Sequence, residues 1–166
     1  MEGDSMSTAQ RIQLPDGSTV NLPGGSKEWR LFQTVTGDSE TGFFEYTNLD
    51  FTELYFIATG LYNINETTPS SVTIEINDIQ EGSLDTQKSN GKSDTKNQTL
   101  HLKFNGLFWE TLKTQPSNNA ESYYNSFGNP TVPYSNNVGT EKCTKLKFNS
   151  NPNYKWAGGT IKIYAR

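Results

Sequence analysis

The chain reads as an all-β protein: an antiparallel β-sandwich or jelly roll with a short N-terminal hairpin arm. Three observations predict this. Of 166 residues, 20 are Thr, 17 Asn and 15 Ser, whereas only 5 are Ala, the best helix former. Thr and the aromatic residues (9 Phe, 8 Tyr, 3 Trp) favour strands, while Asn, Gly and Ser favour turns. Short apolar runs with a period of two recur along the chain, and no window of eleven residues keeps a 3.6-residue period.

Residues 1–28 read as an arm and hinge, and residues 29–166 as the sandwich. In the arm, Ile12 and Leu14 alternate with polar residues, as do Val20 and Leu22. Asp16-Gly17 between them supplies a positive-φ turn. A two-stranded hairpin is marginal alone, so this one must dock on the body or on a neighbouring subunit. Pro23–Ser26 reads as the hinge.

Strand-like runs follow at Trp29–Thr36, Phe43–Tyr46 and Glu53–Leu61, the last apolar enough for a central strand. Val72–Ile79 points Val72, Ile74 and Ile76 one way and Thr73, Glu75 and Asn77 the other. Leu100–Phe104 and Leu107–Leu112 flank Asn105-Gly106, a two-residue hairpin signal. Cys143–Phe148 and Thr160–Tyr164 complete the set. Two polar stretches interrupt the pattern. Gln80–Gln98 reads as a mobile loop, and Thr114–Thr140, with its aromatics, as a folded functional one.

A net charge of −4 excludes a global field for phosphate backbones, so no nucleic-acid partner is expected. No apolar run is long enough to span a bilayer, so membrane insertion is not expected either. The first 25 residues carry no apolar signal core, which predicts synthesis in a cytoplasm without a signal peptide.

One cysteine, Cys143, excludes an internal disulfide, and one histidine, His101, excludes a centre needing two imidazoles. Neither a metal nor a cofactor is expected. There is no Gly-x-Ser-x-Gly elbow, and Gly91-Lys92-Ser93 lacks the leading glycine of a phosphate loop. His101, Lys103 and Asn105 fall on one outward strand face. Carboxylates for glycoside hydrolysis exist at Glu45, Glu53, Glu75, Glu110 and Glu121, but sequence does not pair them, and outward Glu on a sandwich is usually solvated. A non-catalytic role follows as the expectation.

Sugar binding makes the best use of the remaining chemistry. Pyranose rings stack on aromatic faces, and their hydroxyls bond to amide and hydroxyl side chains. Tyr123, Tyr124, Tyr134, Asn136, Tyr154 and Trp156 supply these groups in loop-like segments. The competing reading makes the same aromatics plugs at the ends of the sandwich.

The segment Lys155-Trp156-Ala157-Gly158-Gly159-Thr160-Ile161-Lys162-Ile163-Tyr164-Ala165-Arg166 resembles the terminal strand of structural proteins from tailed bacteriophages, which enter it through a small-residue turn. It departs from them in carrying Ala after Tyr164 where Gly is usual. Leu49–Phe56 also resembles the opening of a strand in those proteins. The resemblance implies a tail-tip, baseplate or fibre module with a jelly-roll head, commonly a homotrimer. Such a module sits on the virion among other virion proteins and binds a host surface saccharide. No binding residue carries over from it. A purely architectural virion protein, a carbohydrate-binding module of a secreted bacterial enzyme, and a glycan-degrading or esterase domain remain the alternatives.

Overall fold

The structure, a computed structural model, describes residues 10–22, 24, 27–40, 43–90, 97–107, 109–114 and 141–166. The arm holds β1 (Arg11–Gln13) and β2 (Thr19–Asn21). The body holds β3 (Arg30–Thr36), β4 (Phe43–Tyr46), β5 (Glu53–Asn63), β6 (Ser70–Ile76) and β7 (Ile79–Thr86). It continues with β8 (Gln98–Phe104), β9 (Trp109–Thr114), β10 (Leu146–Ser150) and β11 (Trp156–Ala165). No α-helix occurs among the described residues; a 3-10 turn, Pro152–Tyr154, leads into β11.

Two antiparallel sheets face each other, ordered β3-β11-β5-β8-β9 and β4-β10-β6-β7. The fold is therefore the expected β-sandwich. Alternation builds its core: Leu54, Phe56 and Ala58 of β5 and Ile161 and Ile163 of β11 meet Val72, Ile74 and Ile76 of β6 and Leu146 and Phe148 of β10. Phe56 and Phe148 touch edge to face at 5.8 Å across the layers. Phe32, packed on Tyr46 and Phe51, closes the side at β3 and β4. On the far side, Gln98 of β8 exchanges two hydrogen bonds with the Asp85 backbone (2.9 and 2.7 Å), joining the sheets at β7.

Trp156 belongs to this core. It is 2% exposed, its ring lies edge-on to Phe44 at 5.7 Å, and its indole N–H donates to the Gly158 carbonyl at 2.8 Å. The Ala157-Gly158-Gly159 stretch, expected as a turn, lies inside β11, where two irregularities in the pairing with β5 absorb it. Gly159 has φ +85°, and a Cβ there would collide with the Gly60 carbonyl.

Three expectations about strands change. First, residues 80–86 of the predicted loop join Ile79 to form β7 (Ile79–Thr86), with Glu81, Ser83, Leu84 and Thr86 buried. Ile76 pairs directly with Ile79, and Asn77 and Asp78 both have positive φ (51° and 66°), as a tight hairpin turn requires. The Asn77 carboxamide pins that turn, accepting from the Thr144 and Lys145 N–H groups (both 3.0 Å) and donating to the Lys142 carbonyl (2.9 Å). Second, Asn105-Gly106 does not make a two-residue loop, because Phe104 pairs with Trp109 and four residues intervene. Third, the strand expected from Cys143 begins at Leu146; Cys143 itself makes only an isolated bridge to Phe51.

The arm docks on its own body, on the outer face of the five-stranded sheet. Leu14, Leu22 and Trp29 bury against Tyr55, Ile57 and Tyr164, with Ile12 and Val20 alongside. The His101 face, expected to be outward, is therefore covered: Trp29 meets His101 edge-on at 5.8 Å. Beneath Trp29, Glu53 accepts Arg166 Nε at 2.6 Å and Arg166 Nη2 at 3.0 Å, and its Oε1 lies 2.7 Å from His101 Nε2. Arg166 also donates to the Lys27 and Gly24 carbonyls (3.0 and 2.9 Å) and stacks 4.3 Å from the Trp29 ring. The hinge is thus clamped to the sheet through one guanidinium.

Two outcomes are expected. Trp156→Ala removes a buried ring and should lower the unfolding free energy by about 3–5 kcal/mol in a urea titration. For Glu53, burial pushes the carboxyl up, but the hydrogen bonds and charges of His101 and Arg166 outweigh it and hold the group at about 2, against 4.5 unperturbed. A depressed carboxylate contributes stability above its unfolded value and loses it as pH falls toward the folded one. The urea midpoint should therefore drop between pH 4.5 and 2. Glu53→Gln should cost about 1–3 kcal/mol near neutrality and show less of this drop.

Candidate functional site

The outer face of the four-stranded sheet is built from the residues that alternation turns away from the core. Cross-strand pairing sets them in two rows. Phe43, Asn149 and Thr73 stand opposite one another on β4, β10 and β6, and Glu45, Lys147 and Glu75 form the next row, continued by Gln80 on β7. Phe43, Asn149, Thr73, Glu75 and Gln80 from these rows line an open groove of about 700 Å³. Ser70 and Ser71 from β6 line it further along, with the buried Ser150 at the end of β10 and Asn151, Pro152 and Lys155 from the segment between β10 and β11.

Its chemistry is uniform. Four hydroxyls (Ser70, Ser71, Thr73, Ser150) and three amides (Gln80, Asn149, Asn151) surround one aromatic ring. Phe43 is 55% exposed and supplies the one aromatic ring among the residues that line the groove. Thr73 Oγ1 donates to the Asn149 carbonyl at 3.0 Å, and Asn151 caps the 3-10 turn by accepting the Asn153 N–H at 2.9 Å. The side chains of Ser70, Ser71 and Asn149 have no hydrogen-bond partner among the described residues, so they are free to bond a ligand. Lys147 lies 3.8 Å from Glu75 and 5.4 Å from the Phe43 ring centroid, which neutralises the carboxylate and steadies the ring.

The residues expected to bind sugar divide. Tyr123, Tyr124, Tyr134 and Asn136 lie outside the described residues. Tyr154 is half-buried and, although it lies between Pro152 and Lys155 in sequence, is not among the residues that line the groove. Trp156 is corrected: with its ring enclosed and its N–H satisfied, it presents no face to a ligand and acts as a plug. The residue missed was Phe43, whose strand of four residues gave no sign of its exposure. Thr73 and Glu75 were legible as outward from the alternation of β6.

The candidate catalytic groups are engaged elsewhere. Glu53 and His101 are bound to Arg166 and to each other beneath the arm. Glu110 accepts from Asn105 at 3.0 Å, and Glu45 and Glu75 each lie 3.8 Å from a lysine. Glu121 lies outside the described residues. Cys143 is fully buried, and burial pushes its thiol up to about 12. A thiolate is the reactive form, so Cys143 should resist a thiol reagent in native protein and react only after unfolding in urea, as read by thionitrobenzoate release.

Comparison with protein-family models, with curated proteins and with solved structures returned no match for this chain.

Proposed function

We propose that this chain is a non-catalytic saccharide-binding module of a virion, recognising a host surface glycan through the groove on the β4-β10-β6-β7 sheet. The observation that carries the reading is the exposed Phe43 ring beside unpartnered hydroxyl and amide side chains at Ser70, Ser71 and Asn149. An aromatic face takes the apolar side of a pyranose, and short polar groups take its hydroxyls. A groove of about 700 Å³ is of the size that small ligands fill.

Strand order adds support. With β9 set aside, the sheets run β3-β11-β5-β8 and β4-β10-β6-β7, an order that we read as supporting an eight-stranded jelly roll, an architecture found in capsid and lectin domains. That is analogy at the level of fold, as is the resemblance of the Lys155–Arg166 segment to phage structural proteins. Both favour a virion setting, and with it a homotrimer among other virion proteins. Single sites of this kind bind in the millimolar to micromolar range, about −4 to −8 kcal/mol, and multiple copies raise avidity without new contacts.

A glycan array followed by calorimetric titration tests the reading. Phe43→Ala and Asn149→Ala should each weaken saccharide binding by about tenfold or more, while the melting temperature stays within a few degrees of wild type, since neither side chain is in the core. Binding that survives both substitutions would remove the groove as the site. No binding to any glycan, host cell or isolated wall polysaccharide would leave an architectural role.

A further inference from the structure

The charges around the groove are not evenly answered, and this bears on the class of saccharide; the inference rests on the saccharide reading above. Glu75 lines the groove, and Lys147, its cross-strand neighbour, sits 3.8 Å away. Glu45, on the other side of Lys147, lies 3.8 Å from Lys145, which also holds Asp78. Lys155 differs from these lysines. It lines the opposite end of the groove, beside Asn151 and Pro152, and its ammonium has only the Glu40 carbonyl at 3.4 Å. No carboxylate lies within ion-pair distance of it among the described residues. Along β6, Glu75 and Ser71 stand four residues apart, roughly 13 Å at strand spacing, so the Glu75–Lys147 pair and Lys155 occupy different ends.

We infer that the groove takes an acidic saccharide, with a ring on Phe43, hydroxyls on Ser70, Ser71 and Asn149, and an anionic group of the sugar on Lys155. Neighbouring neutral donors strengthen the assignment. Asn149 and the serine hydroxyls can donate to an anion as readily as to a sugar oxygen. A carboxylate there gains a charge-assisted hydrogen bond, which is shorter and stronger than a neutral one. The ammonium of Lys147 is answered by Glu75 at 3.8 Å, whereas no described carboxylate answers Lys155.

Matched pairs of one polymer with and without its charge test this. Oligogalacturonate, alginate and hyaluronate oligomers, each with its methyl ester, are titrated calorimetrically against the full chain and against Lys155→Gln, Lys155→Arg and Phe43→Ala. The expected result is binding of at least one acid form about tenfold tighter than its ester. Lys155→Gln should erase that difference, Lys155→Arg should keep most of it, and raising the salt should weaken the acid form alone. Phe43→Ala should weaken acid and ester together. Equal binding of acid and ester, unchanged in Lys155→Gln, would overturn the acidic assignment and leave the saccharide reading standing. Acid binding that ignores Phe43→Ala would overturn it as adhesion to a polyanion. Failure of all three acids while neutral glycans bind on the array would also overturn it; failure of every glycan would take the saccharide reading with it.

Discussion

The organising constraint of this molecule is that β5 is apolar on both faces. Leu54, Phe56 and Ala58 look into the sandwich, whereas Tyr55 and Ile57 look out of it. A strand buried on one side only would alternate apolar with polar residues; this one requires a second cover. The arm supplies it. Ile12, Leu14, Val20 and Leu22 have too little partner surface within a two-stranded hairpin, and the outer face of β5 and β11 has none of its own. Each deficit answers the other, and the arm is thereby a third layer rather than a tether.

Arg166 makes that layer specific. Apolar cover alone would let the arm slide across the sheet, because hydrophobic burial has no direction. The guanidinium binds Glu53 with two nitrogens, reaches two hinge carbonyls and lies against Trp29. A buried ion pair of this sort contributes more to register than to net stability, since desolvation offsets much of its attraction. The same cluster removes Glu53 and His101 from solvent, which is why the single histidine is a structural group here.

The arm covers one outer face; the outer face of the β4-β10-β6-β7 sheet is the one that carries the proposed groove. On the β4-β10-β6-β7 sheet the outward positions named above are Thr, Ser, Asn and Gln with Glu45, Glu75 and Lys147, and Phe43 is the exception. Its strand is short and at the sheet edge, where a partner strand gives no lateral cover. The 3-10 turn between β10 and β11 brings Asn151, Pro152 and Lys155 to the groove.

By itself, the sequence determined the sandwich, the arm and the direction of most side chains. Period-two alternation at Val72–Ile76 and Ile161–Ile163 is a local property of strands and survives without knowledge of neighbours. What it left to the tertiary structure depends on partners distant in the chain. β7 looked like a loop because Glu81, Gly82 and Ser83 have poor strand propensity, yet pairing with β6 holds it in the sheet. Asn77-Asp78 carries no glycine, and residues 142–145 make its positive-φ turn tenable by saturating the Asn77 side chain. Trp156 could have been platform or plug, and only the position of Phe44 and the close approach of β5 to Gly158 decided for the core. Exposure belongs to a packed surface and not to a residue, so Phe43 became visible as a candidate ligand platform only once both sheets were in place.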